Sequence, residues 1–151
     1  MEKYKDIARR NEANIWIIKP GENSNRGHGI QITDSLPEIC SIINSYKFPS
    51  ETKGRPGLAG SRTWIVQKYI DRPLLIDGRK FDIRGFGMIT SINGVIKGYM
   101  YRDCYFRTSS KKYDLANLNR PDIHLTNDAV QKTFEDYGKF ENDNKLSISD
   151  F

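Results

Sequence analysis

"RKFDIRGFGMITSINGVIKGYMYRDCYFRTSS", residues 79 to 110, decides how this chain folds. At its centre Asn93-Gly94 separates two apolar, β-branched runs, the strongest short-range signal for a hairpin with a two-residue turn. The whole stretch reads as one long antiparallel hairpin. Side chains alternate faces along a strand, so Lys80, Asp82 and Arg84 share one face, and Phe81 and Ile83 the other. The turn sets the register if no bulge intervenes: Arg84 falls opposite Asp103, Asp82 opposite Tyr105, and Lys80 opposite Arg107. One face then carries Lys80, Asp82, Arg84, Asp103 and Arg107. A solvated sheet with cross-strand ion pairs looks the same, each pair contributing roughly 0.2–1 kcal/mol. Two arginines and a lysine beside carboxylates also suit phosphates and substrate carboxylates, which guanidinium groups grip bidentately.

Toward the N-terminus, Thr63 to Ile70 ("TWIVQKYI") reads as a strand, followed by a polar turn, "DRPLLIDG". Lys47 to Arg62 is rich in Gly, Pro, Ser and charge and reads as a surface loop. Asp34 to Tyr46 places Leu36, Ile39, Cys40 and Ile43 at helical spacing, with Asp34 or Ser35 as N-cap. Asn14 to Ile18 ("NIWII") reads as a short buried strand, and Ile30 to Ile32 as its hairpin partner. Between them, Lys19 to Gly29 is a loop with three glycines. It is not a Walker loop, because its lysine precedes the glycines. Residues 1 to 13 are polar and charged. Beyond Tyr113 the chain turns irregular: "HLTNDAVQK" opens a short helix at Thr126 or Asn127, and "YGKFENDNKLSISDF" resolves into no element.

The 151 residues suffice for one domain with a core, yet only 37% are hydrophobic, which fits a chain that leans on neighbouring structure. Net charge is +5, suiting an acidic partner such as nucleotide phosphates or an acidic peptide tail. Cys40 and Cys104 stand far apart with no C-x-x-C or His/Cys cluster, against a zinc site and in keeping with a reducing compartment. No apolar run approaches about 18 residues, against a transmembrane helix. The opening "MEKYKDIARR" lacks the apolar centre of a secretory signal. No basic stripe interleaved with aromatics forms a nucleic-acid module.

The order "IWIIKPGENSNRGHGI", "QKYIDRPLLIDGRKFDIR", "YRDCYFRTSSKKY", "HLTNDAVQK" and "YGKFENDNKLS" resembles the tubulin–tyrosine ligase family from about Asn14 onward. The details "RKFDIR", "FRTSS" and "YGKFENDNKLS" resemble the tyrosine ligase itself more than the glutamylase branch. The resemblance implies an α+β, ATP-grasp-like fold, an antiparallel sheet with flanking helices, with residues 14 to 151 forming part of that domain. It implies that ATP activates a tubulin carboxylate as an acyl phosphate, which the amine of a free amino acid (tyrosine, glutamate or glycine) then attacks. The enzyme would act in the cytoplasm on microtubules of the cytoskeleton or cilium, without nucleic-acid or membrane partners.

On the same resemblance, Lys19, Arg26 and Gly27 hold ATP phosphates, and Gln67, Lys68, Tyr69 and Ile70 carry the adenine through backbone groups. Lys80 and Asp82 also contact the nucleotide, Thr126 and Asn127 contact nucleotide or amino acid, and Arg84 and Arg107 stand by the γ-phosphate and substrate carboxylates as catalytic groups. By itself, "HLTN" reads as a helix N-cap. The family's Mg²⁺ ligands, an aspartate and a Glu-x-Asn, would lie beyond Phe151, so no residue here is assigned to metal. The isolated chain is accordingly expected to be a poor catalyst, or else a non-catalytic remnant that binds ATP or a tubulin tail.

Overall fold

A computed structural model describes residues 13–21, 24–45 and 63–151. They fall into two compact units: the residues up to Pro73 with Asp114–Arg120, and Leu74–Tyr113 with Pro121–Phe151. The segment expected as a loop over Lys47 to Arg62 lies outside the described residues, as do residues 1–12.

The first unit is a three-stranded antiparallel sheet in the order β2-β1-β3, with β1 (Trp16–Pro20), β2 (Gln31–Thr33) and β3 (Trp64–Lys68). The expected strands are present, with β1 shifted two residues toward the loop from the "NIWII" reading. Trp16, Ile18 and Pro20 are buried and Ile17 and Lys19 half-buried, the alternation of a sheet with one covered face. The cover is helix α1 (Leu36–Ser45), whose Ile39 joins Trp16 and Ile18 in the core, flanked by Ile42 and Trp64. Ile43, expected on the core side, is exposed, because Ile39 and Ile42 already define the packed stripe. Ser35, not Asp34, caps the helix: its Oγ accepts from Glu38 N at 3.3 Å and its carbonyl from Ile39 N at 3.1 Å. Ser35 and Glu38 have the capping-box spacing. Here, though, the Glu38 carboxylate accepts from the Thr33 hydroxyl, while Ser35 N donates to Thr33 Oγ1 at 3.0 Å.

The second unit holds a four-stranded antiparallel sheet, β4-β5-β8-β9, and a separate two-stranded ribbon, β6-β7. Its strands are β4 (Leu75–Ile76), β5 (Arg79–Arg84), β6 (Gly87–Ile92), β7 (Val95–Met100), β8 (Tyr105–Lys112) and β9 (Lys145–Ser147). Short helices α2 (Pro121–His124) and α3 (Asp128–Gln131) and a 3-10 turn (Asn142–Asn144) follow β8. "DRPLLIDG" is more than a turn: Leu75 and Ile76 pair with Lys80 and Arg79 around Asp77 and Gly78, both at positive φ. This is a second tight hairpin, an Asp-Gly turn of the kind signalled by Asn93-Gly94. The chain end also resolves, since β9 pairs with β8.

The ribbon keeps the register that Asn93 (φ 50°) and Gly94 (φ 79°) dictate, from Ile92 opposite Val95 to Gly87 opposite Met100. Both of its faces are open: Met88 and Ile92 on one and Ile89 and Ile96 on the other are each more than half exposed. Beneath it the register changes. Between the ribbon and the β5–β8 pair, the outgoing chain spends two residues (Gly85, Phe86) and the return chain four (Tyr101 to Cys104). Arg84 therefore faces Tyr105, not Asp103, and Asp82 faces Arg107, not Tyr105. Asp103 lies in the connection, off the sheet. The same shift removes the expected Lys80–Arg107 pairing, and a second irregularity lies between Arg79 and Phe81. There β8 bulges at Ser109 and Ser110, and Lys80 N donates to Ser109 Oγ at 3.1 Å.

Candidate functional site

In the first unit, Lys19 and Gln67 project from the face of the sheet that α1 leaves uncovered. Ile17 pairs with Gln67 and Lys19 with Ile65, so the two polar side chains are diagonal neighbours. Lys19 Nζ donates to Gln67 Oε1 at 2.9 Å. The Gln67 side chain thus has a partner of its own, which a reading of this segment through its backbone misses. Lys68 turns the other way: its ammonium donates to the Ala13 carbonyl and lies 5.9 Å from the Trp16 ring centroid. Tyr69 is buried with its N–H spent on the Ile15 carbonyl at 3.0 Å, and Ile70 is exposed.

The loop after Lys19 is held at its base by Gly21 N, which donates to the Thr63 carbonyl at 2.8 Å. A Cβ at Gly21 would crowd Thr63, meeting its Oγ1 and coming within 3.0 Å of its Cβ and 3.1 Å of its carbonyl. At its tip, His28 N donates to the Asn25 carbonyl at 3.1 Å around Arg26 (φ 59°) and Gly27 (φ 87°). Two positive φ values inside an i to i+3 bond mark a type I′ turn. Arginine is uncommon in that conformation. Ser24 Oγ braces the turn by donating to the His28 carbonyl at 2.9 Å. The turn presents an exposed guanidinium beyond the strand that carries Lys19, a donor set whose chemistry fits a polyphosphate.

In the second unit, Asp82, Arg107 and Lys145 are cross-strand neighbours on β5, β8 and β9, one row on one face. Arg107 grips Asp82 bidentately, with Nε donating to Oδ1 at 2.8 Å and Nη2 to Oδ2. The Asp82 hydrogen bond raises the Arg107 pKa, burial opposes it, and the Asp82 charge adds to the rise. Alternation puts Lys80 and Arg84 of β5 on the same face, as expected. Arg84 lies exposed, its guanidinium 5.6 Å from the Phe86 ring centroid.

Thr126 joins this face: with Arg107, Asp128, Gln131, Asp143 and Asn144 it lines a shallow recess. Asn127 sits at the N-cap of α3, but only its carbonyl caps, accepting from Val130 N and Gln131 N at 2.9 Å; its side chain makes no capping bond. Asp128 is held by Tyr137 Oη at 2.6 Å and Lys132 Nζ at 2.8 Å, with Lys145 Nζ at 3.7 Å. Burial pushes its carboxyl up, but bonds from Lys132 and Tyr137 outweigh this and leave it below the ordinary value. The same neighbourhood raises the Tyr137 phenol, through burial first and then the Asp128 bond.

The opposite face holds a pair that the sequence reading missed. Arg79 is 2% exposed and ion-pairs with Glu141. It also donates to Thr108 Oγ1 at 3.2 Å and the Ser109 carbonyl at 3.3 Å, with the Phe140 ring 4.4 Å away. The signal was present: Arg79 falls on the Phe81/Ile83 face, and a charge on an apolar face requires a buried partner. Lys145, Gln131 and Asn144 were missed because "YGKFENDNKLS" and "DAVQK" carry no periodicity that marks them.

Among the described residues, no group of three or more His, Cys, Asp or Glu side chains that could hold a metal ion converges. Nor is any helix among them long and apolar enough to cross a membrane.

The model of the tubulin-tyrosine ligase family matches residues 1–151. Over 124 residues the chain is 41% identical to Homo sapiens tubulin monoglycylase TTLL3, a stretch covering 82% of this chain and 14% of that protein. It is 40% identical over 133 residues to Drosophila melanogaster tubulin glycylase 3B, covering 88% of the chain and 15% of the relative. A similar likeness, 40% over 119 residues, links it to Homo sapiens protein monoglycylase TTLL8, covering 79% of the chain and 13% of the relative. The chain thus spans about one seventh of these relatives' lengths. All three are named as glycylases, whereas "RKFDIR" and "FRTSS" had leaned toward the tyrosine ligase.

Proposed function

The chain belongs to the tubulin-tyrosine ligase family, and from that premise we propose that it is part of an ATP-dependent ligase that joins glycine to a carboxylate of tubulin. The observation that carries the choice of glycine is its likeness to tubulin glycylases over four-fifths of its length. Tyrosine and glutamate are the alternatives the family allows.

On this reading the fold is an ATP-grasp variant and the carboxylate reacts as an acyl phosphate. In the first unit, Lys19 and the Arg26–Gly27 turn bind phosphates, while Gln67, Lys68, Tyr69 and Ile70 carry the adenine. In the second, Lys80, Asp82, Thr126 and Asn127 orient nucleotide and amino acid. Arg84 and Arg107 stabilise charge on the phosphoryl group and the carboxylates, which is most of what such a transfer asks of a protein. The chain's charge of +5 complements an acidic tubulin tail. On this reading Mg²⁺ is the ATP counter-ion. A cytoplasmic location on microtubules, including those of cilia, follows from that partner.

The test is incorporation of labelled glycine, tyrosine and glutamate into tubulin by the native polypeptide with ATP. Transfer of glycine above the other two supports the reading. Transfer of tyrosine or glutamate alone overturns the choice of amino acid, and transfer of none overturns the ligase reading.

A further inference from the structure

Gln131 is 1% exposed, and its amide uses every hydrogen-bonding position it has. Oε1 accepts from Ser110 N at 3.0 Å and Ser110 Oγ at 2.6 Å. Nε2 donates to the Leu125 carbonyl and to the Asp122 carbonyl at 3.3 Å. One side of the amide therefore holds the bulge of β8, and the other holds the chain that leads into Thr126. A second buried amide meets it: Asn144 Nδ2 donates to Ser110 Oγ at 2.9 Å and to the Thr108 carbonyl at 3.1 Å. Asn144 and its neighbour Asp143 both stand at positive φ, a conformation costly for non-glycine residues unless the surroundings enforce it. Gly138 N, donating to Asn144 Oδ1 at 2.7 Å, supplies part of that enforcement.

We propose that Gln131 is a positioning residue: its amide pins the Leu125–Asn127 segment to β8 and so sets where Thr126 and Asn127 stand relative to Arg107. Arg107 lies three residues before Ser110 on the same strand, and both Thr126 and Gln131 line the recess beside it. Helix α3 is a single turn, too short to hold this geometry alone. The inference rests on the ligase reading for what the geometry serves, but the pinning itself does not depend on it.

The two sides of the amide can be separated. Gln131→Glu keeps the acceptor toward Ser110 and places an oxygen where Nε2 faced two carbonyls. Ser110→Ala removes the hydroxyl link and leaves the Leu125 side intact. Glycine transfer by the native polypeptide is measured well below each variant's melting temperature, together with hydrogen exchange over residues 124–128. We expect Gln131→Glu to lower kcat about tenfold or more while KM for ATP stays within about threefold, with faster exchange in that segment. Ser110→Ala should melt earlier yet keep kcat within about twofold. Should Gln131→Glu not fold, Gln131→Asn, one methylene too short to span both sides, takes its place with the same expectation. Equal turnover per folded molecule in both variants would overturn the proposal. If the wild type transfers no amino acid, the ligase reading fails by itself, and unchanged exchange at 124–128 in the Gln131 variant would still overturn the pinning.

Discussion

Arg107 and Asp82 face each other directly across β8 and β5 and share a bidentate ion pair, two positions away from the register that the Asn93-Gly94 turn projects. A slip of one residue would have put them on opposite faces. The slip is two, so the parity of every side chain survives. The carboxylate read as a nucleotide ligand and the arginine read as catalytic hold one another, and a bound anion would compete with Asp82 for that guanidinium.

Arg107→Ala should therefore reduce use of the amino acid or of the tubulin carboxylate more than it reduces ATP affinity. The expected loss in kcat/KM is about a hundredfold, typical for removing a donor aimed at developing charge. Steady-state kinetics set beside nucleotide binding by calorimetry would check this, and parallel losses in both would contradict the role given to Arg107.

Lys19→Ala should weaken ATP binding by about 2 kcal/mol, roughly thirtyfold, the scale of a hydrogen bond to a charged group. Gln67→Glu should weaken ATP more than Gln67→Ala, because a carboxylate 2.9 Å from the ammonium would compete with phosphate for it. Titration of the chain with ATP distinguishes the two, and unchanged affinity in Lys19→Ala would undo the phosphate-loop argument.

Glu141→Ala should cost about 3–5 kcal/mol of stability, since it strands the buried Arg79 charge. The double replacement Arg79→Met with Glu141→Leu should recover most of that loss, because two apolar groups of similar size remove both desolvation penalties. Chemical denaturation of the single and double variants gives the coupling directly, and additive losses would show that the pair is not coupled.

Burial pushes the Glu141 carboxyl up, but hydrogen bonds from Arg79 and Thr108 more than offset it and hold it below the ordinary value. A carboxyl lowered in the folded state stabilises above its unfolded pKa of about 4.3, and that contribution is lost as pH falls through the folded value. The wild type should lose more melting temperature between about pH 5 and pH 3 than Glu141→Gln does. Asp128, Asp136 and Asp150 are lowered as well, so the difference between the two proteins, not the wild-type slope, isolates Glu141.

Much of the fold was legible because it rests on local chemistry. Asn93-Gly94 adopts positive φ readily, so the ribbon and its register could be read from two residues. Asp77-Gly78 carried the same signal and went unread, since only three apolar residues, Leu74 to Ile76, precede it. The buried strand beside Trp16, the strand through Gln67 and the helix over Ile39 followed from apolar spacing. Within the site, Lys80, Asp82 and Arg84 fell on one face from alternation, and the parity of the turn added Arg107. The partners were not legible. Asp103 was placed on the sheet because the extra residues between Tyr101 and Cys104 have no local signature.

By itself, then, the sequence determined which residues turn, which alternate and which family they spell, all properties of neighbours a few positions apart. The tertiary structure decided the rest: that Asp82 meets Arg107, that Arg79 is buried against Glu141, and that Gln131 ties Ser110 to Leu125. Those pairings span 6 to 62 positions along the chain. They depend on where β8 bulges and where the last loop folds back to pair β9 against it, and a bulge forms where distant donors and acceptors can satisfy its freed backbone groups.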